Sequence, residues 1–174
     1  MTTWFTSDIH FGHRNIITYC KRPYESVEEM DEVLIRNWNE RIGLTDTVYF
    51  LGDFSFHKEP RTREIILQLN GIKHMILGNH DRNWGKNENL WYEYFVEVED
   101  YARIKADGHK FVLCHFPFKS WERGYVNLHG HTHGMSEEYF AQCDVGVDCN
   151  NYLPISADEA YAKAMNNPKR SDYQ

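Results

Sequence analysis

The sequence predicts an α/β fold of the α+β kind, in which strands and helices alternate through the first half and strands dominate the second. Three observations carry this. Short apolar, β-prone runs alternate with helically spaced runs as far as Asp81. Beyond it, short strand-like runs follow one another between turn residues. Side chains of the metal-ligating type stand where the apolar runs stop: Asp8 and His10, Gly52-Asp53, Gly78-Asn79-His80-Asp81, His115, and Gly130-His131-Thr132-His133. Strand C-termini are where such sheets present ligands to a crevice.

Each element follows from its own residues. Thr3 to Ser7 is a short β-prone run that ends at Asp8. Ser26-Val27-Glu28-Glu29 fits a capping box, after which Val27, Met30, Leu34 and Trp38 recur at helical spacing to about Arg41. Thr47 to Leu51 reads as a buried strand, Ile65, Ile66 and Leu69 as a second helix, and Ile72 to Leu77 as a third strand. Tyr101 to Ile104 and Lys110 to Cys114 flank Asp107-Gly108 as a hairpin whose second arm delivers His115. Val126 to His129 and Asp144 to Val147 are further short strands, and a capping box from Ser156 to Glu159 opens a terminal helix. A single domain over residues 1–174 is expected, with a frayed polar tail from about residue 166.

Composition narrows the class. Hydrophobic residues at 41% and aromatics at 15% supply a core, which excludes global disorder. A net charge of -7 opposes non-specific binding to long nucleic acid, although nucleotides remain eligible. The N-terminal stretch lacks a signal-peptide pattern and no segment has membrane-spanning length, so a soluble cytoplasmic protein is expected, without an obligatory protein partner. Cys20, Cys114, Cys143 and Cys149 form no CxxC pair and read as free, mostly buried thiols.

The spacings are chemical statements. In extended backbone, residues i and i+2 point the same way, so Asp8 and His10 reach one ion together while Ile9 faces the core. His131 and His133 would do the same in a strand, whereas a loop would send the two imidazoles to two neighbouring ions. Asp53 has two oxygens and is the natural bridge of a two-metal site, and Asn79 adds a neutral amide oxygen. Mixed imidazole, carboxylate and amide ligands favour manganese, iron or zinc.

Taken in order, these five segments closely resemble the calcineurin-like metallophosphoesterases, over roughly residues 3–150. The resemblance implies a β-sandwich of two mixed sheets flanked by helices, with ligands on loops at one end. It implies a first ion held by Asp8, His10, Asp53 and His133, and a second held by Asp53, Asn79, His115 and His131, with Asp53 and a water or hydroxide bridging them. His80 would sit beside the scissile phosphate, its ring oriented by Asp81. Two divalent ions less three negative ligand charges leave about one positive charge for a phosphoryl group. The resemblance tilts the metal towards manganese.

One position departs from the family pattern. Where that pattern places a second acid after Gly52-Asp53, this chain has Phe56, so the loop is expected to be packed by aromatics instead of pinned by charge. Phe11-Gly12-His13-Arg14-Asn15 resembles a small bacterial or phage-type branch, and His13 and Arg14 are candidate phosphate contacts. His57, His74 and His109 read as surface or loop residues, and His129 as a support for the ligands. Trp84, Trp91 and Tyr92 read as core or as a stacking surface for a base. The expected activity is phosphodiester hydrolysis on a nucleotide-like or nucleic-acid-derived substrate in an open cleft, with phosphomonoester or phosphoprotein hydrolysis as the alternative.

Overall fold

A computed structural model describes residues 1–81 and 90–169. The elements run β1 (Thr3–Thr6), α1 (Arg14–Tyr19), α2 (Val27–Arg41), β2 (Thr47–Phe50), α3 (Glu59–Gln68), β3 (Ile72–Ile76), α4 (Leu90–Tyr94), β4 (Val98–Glu99), β5 (Tyr101–Ala106), β6 (His109–Cys114), β7 (Val126–His129), β8 (Gln142–Asp144), β9 (Ile155–Ser156) and α5 (Ala157–Asn166). They build two mixed sheets flanked by helices. The first has the order β4-β3-β2-β1-β9 and the second β5-β6-β7-β8. β1 to β4 are mutually parallel with β9 antiparallel at the edge, while β5 and β6 form a hairpin and β6, β7 and β8 run parallel.

Alternation along β1 and β2 explains why the first sheet is buried on both faces. Val48 and Phe50 point to a core shared with Met30, Leu34 and Trp38, which lie one turn apart along α2. Phe5 and Leu51 point the other way, into a second core with Phe111, Leu113, Leu128 and the alanines Ala157, Ala160 and Ala164 of α5. Phe5 and Phe111, from different sheets, meet with ring centroids 5.1 Å apart. Small residues on α5 let that helix approach closely.

Two helix starts, those of α2 and α5, are chemically defined. Ser26 accepts from the Glu29 amide, and Ser156 and Glu159 form a reciprocal capping box. Among the described residues no helix is long and apolar enough to cross a membrane.

Three expectations need correction. The strand expected over residues 144–147 is displaced to Gln142–Asp144, because Asp144 turns its carboxylate onto the Gly146 amide and the chain then enters a 3₁₀ turn at Val147–Cys149. Residues 167–169, expected to belong to a frayed tail, are tied to the fold. Asn167 donates to the Gln142 carbonyl, Phe140 donates to the Pro168 carbonyl, and Lys169 lies over the Phe140 ring; residues 170–174 lie outside the described residues. The one-turn helices α1 and α4 were not expected at all.

Candidate metal centre

Five loops meet at one end of the two sheets. β1, β2 and β3 end within three residues of Asp8, Asp53 and Asn79, while β6 and β7 end within two of His115 and His131. The first ligand loop lies on the second, with the Asp8 amide donating to Gly52 O, His10 N to Asp53 O and Phe11 N to Phe54 O. Val147 N donates to Ser7 O, so the C-terminal segment ties the last ligand loop to the first strand.

The extended geometry expected at Asp8-Ile9-His10 is not what forms, and at His131-Thr132-His133 the loop alternative is the one adopted. Asp8, His10, Asp53, His131 and His133 all have positive φ, between 49° and 68°. This left-handed backbone costs an L-residue about 1 kcal/mol or more at each position. The strain turns each side chain off its strand axis into the cleft. It also separates the two imidazoles of the last loop: His133 joins Asp8 and His10, while His131 joins Asp53 and His115.

In the first cluster, Asp8 Oδ1 lies 3.9 Å from His10 Nε2 and 4.0 Å from His133 Nε2. These atoms face one another beyond hydrogen-bond reach. Asp8 Oδ1 and both ring nitrogens of His10 are buried without a hydrogen-bond partner among the described residues. Burial drives the Asp8 carboxyl well above the usual range and the His10 imidazolium well below it. A divalent cation at their convergence would satisfy Asp8 Oδ1 and His10 Nε2 and keep Asp8 ionised.

The second cluster passes the same test. His115 donates from Nδ1 to Leu51 O at 2.7 Å, so its neutral ring has a lone pair on Nε2. That lone pair faces Asn79 Oδ1 at 3.0 Å, and Asp53 Oδ2 lies 3.6 Å away. Acceptors converge on one point, where a cation fits. Asp53 Oδ2 is also 3.7 Å from His10 Nε2, so one carboxylate oxygen lies between the clusters, while Oδ1 is held by the His80 amide at 2.9 Å.

The fold defined by these loops has relatives. The model for calcineurin-like phosphoesterases matches residues 1–167. The chain belongs to the calcineurin-like phosphoesterase family. An uncharacterised protein of Methanocaldococcus jannaschii is 38% identical over 166 residues, covering 89% of this chain and 86% of the relative. The gene 66 protein of Mycobacterium phage L5 is 33% identical, covering 91% and 92%. A crystal structure of an Aquifex aeolicus protein of unknown function superposes with a TM-score of 0.72 at 28% identity, covering 91% of this chain and 96% of that one. Family membership carries metal-dependent phosphoester hydrolysis, and the two His and Asp clusters are groups that could hold a metal ion in this chain.

Beside the first cluster stands Phe56 of the second ligand loop. Its ring stacks on His13 at 4.0 Å with 17° between planes, and lies 4.8 Å from His80 and 5.3 Å from His10. His80 is half exposed, with Nε2 3.9 Å from Asp53 Oδ2. His13 is therefore at the site, whereas Arg14 is exposed at the first position of α1.

Asp81 corrects an expectation. Its Oδ2 accepts from Asp53 N at 2.7 Å and Gly78 N at 2.8 Å, and its Oδ1 from Phe54 N at 3.0 Å. Those bonds fasten the second ligand loop to the third; they do not orient the His80 ring. Trp91 is buried and donates to Asp81 O, Tyr92 is exposed, and Trp84 lies outside the described residues. Cys114 is buried, and His129 contacts the ligand loop through Gly130 O.

Several contributors escaped the sequence reading. Asp144 Oδ2 accepts from Thr132 Oγ1 and Gly134 N, clamping the last ligand loop. His57, expected as a surface residue, meets Asp31 at 2.5 Å, and Asp31 also accepts from Gly12 N, so the pair secures the turn that carries His13. Asp148 holds His133 and is itself held by Arg22. Carboxylates in an otherwise apolar stretch, as at Asp144 and Asp148, are the signal that was available.

Proposed function

We propose that the chain is a phosphodiesterase that works with two divalent ions, manganese being the favoured metal. The observation that carries this reading is the place of Asp53 Oδ2, 3.7 Å from His10 Nε2 of one cluster and 3.6 Å from His115 Nε2 of the other. One carboxylate oxygen with a nitrogen on each side is the donor pattern of a bridging ligand. Asp8, His10, Asp53 and His133 would hold the first ion; Asp53, Asn79, His115 and His131 the second. When bound, the pair supplies Lewis-acid charge for the phosphoryl oxygens and makes a water nucleophilic near neutral pH.

The chain's own residues supply the rest. His80, half exposed and anchored through its amide to Asp53, is suited to pass a proton to the departing oxygen. His13, pinned flat against Phe56, offers its ring to a phosphoryl oxygen at the edge of the first cluster. Exposed Phe116, 4.7 Å from His131, gives the other side an apolar face for an aryl or base substituent. This open, aromatic rim favours a diester, whose second substituent needs a surface to lie on. The same reading assigns the protein to the cytoplasm, where its four thiols stay reduced.

The test is a substrate panel of bis-p-nitrophenyl phosphate, p-nitrophenyl phosphate, cyclic nucleotides and short oligonucleotides, assayed with manganese. The diester is expected to have the higher kcat/KM of the two nitrophenyl compounds. Preference for the monoester would replace the diesterase reading with a phosphomonoesterase.

A further inference from the structure

We infer that Arg22 and Asp148 are positioning residues that assemble the first ion's pocket, Asp148 by fixing the tautomer of His133 and Arg22 by locking Asp148 to the Asp8-Ile9-His10 loop. The inference rests on the reading of His133 as a ligand of that ion. Arg22 is buried beneath the site, and its five N–H groups are all directed at protein acceptors. Nε donates to Asp148 Oδ1 at 2.8 Å and Nη2 to Asp148 Oδ2 at 2.8 Å. Nη2 also donates to Asp8 O at 2.7 Å, and Nη1 to Ile9 O at 2.7 Å with Met30 Sδ at 3.5 Å. Only a planar fork of donors fits four oxygens so arranged, and a lysine ammonium would not reproduce it.

Asp148 Oδ2 then accepts from His133 Nδ1 at 2.7 Å. A carboxylate held by a guanidinium only accepts, so the ring proton resides on Nδ1. The Nε2 lone pair is left directed at the first cluster, 4.0 Å from Asp8 Oδ1. The two carbonyls that Arg22 grips flank the left-handed turn presenting Asp8 and His10, both with φ of 56°. One ion pair thus joins the Asp8-Ile9 backbone, which leads into His10, to the ring of His133, from segments 126 residues apart.

Two other readings fit less well. Stability alone is a weak reason for a buried ion pair, since an apolar pair of the same volume is often as stable. Cys20, His133 and Asp148 also converge closely enough to hold an ion. An ion there would face the fixed charge of Arg22, which already occupies both oxygens of Asp148.

Nitrogen-15 long-range correlation spectra of the metal-free wild-type protein read the His133 tautomer directly, and the proton is expected on Nδ1. Manganese titration of Asp148→Asn and Arg22→Lys, beside His131→Ala to mark the second site, is expected to show one of two sites weakened about 10–100-fold and the other unchanged. A wild-type ring protonated on Nε2, or folded variants with both affinities unchanged, would overturn the inference. Should a variant fail to fold, the wild-type tautomer decides alone. A wild-type protein taking up fewer than two ions contradicts the two-ion reading instead, and the tautomer still decides on Asp148.

Discussion

Asp53 Oδ2 stands 3.6 Å from His115 Nε2, too far for a hydrogen bond. Two donor atoms each about 2.1 Å from one ion lie roughly 3–3.5 Å apart, so the pair has nearly the spacing of ligands on a shared cation. The carboxylate is held in place from its other side. Its Oδ1 accepts from the His80 amide, its own amide donates to Asp81, and its φ of 61° turns the side chain off the strand axis.

Asp53→Asn puts a neutral amide where an anion is needed between two cations. Activity and metal retention are expected to fall together, activity by at least about a hundredfold given the charge stabilisation that two-ion sites supply. Steady-state rates measured beside metal content check this. Near-normal turnover would mean that Asp53 does not bridge.

His80 separates ligation from proton transfer. His80→Asn is expected to leave metal content unchanged while slowing hydrolysis by about 10²–10⁴-fold on substrates that expel an alkoxide. Loss on p-nitrophenyl esters should be smaller, because that leaving group needs little protonation. Equal losses on both, together with missing metal, would make His80 a ligand.

The pH dependence has a defined sign. Burial pushes the His115 imidazolium down from 6.5 to about 4. Between those values the unfolded chain binds a proton that the folded chain refuses, so stability is complete above about 6.5 and is lost as pH falls towards 4. The shift corresponds to about 3 kcal/mol. Urea unfolding of the metal-free protein across this window should give a more positive slope of stability against pH for the wild type than for His115→Gln. The buried carboxylates, whose raised pKa values act in the opposite sense, are common to both and cancel in the comparison. Identical pH slopes would refute a neutral buried His115.

How much of this could be read from the residues alone divides along physical lines. The position of the five segments at strand ends was legible, because an α/β crevice lies at strand ends and buried strands are apolar, whereas the two-sheet arrangement followed from the family resemblance. The caps at Ser26 and Ser156 were legible since they are local chemistry. Phe56 signalled an aromatic contact at the second ligand loop, but the loop is pinned by charge as well, since the Asp81 carboxylate accepts from Asp53 N and Phe54 N. The left-handed backbone at Asp8, His10 and His133 was not legible, because strain of this kind is imposed by tertiary contacts and has no signature in Asp or His. Asp81 looked like an orienting acid by its neighbour His80, yet its carboxylate serves three backbone amides that meet only in the folded chain. Arg22 and Asp148 lie 126 residues apart, and no spacing rule links them.

The number of ions bound per chain tests the central claim most directly. Elemental analysis of protein loaded with saturating manganese and freed of excess should give close to two per chain, with activity rising as the second is filled. A chain that is fully active with one ion would contradict the bridged two-ion centre.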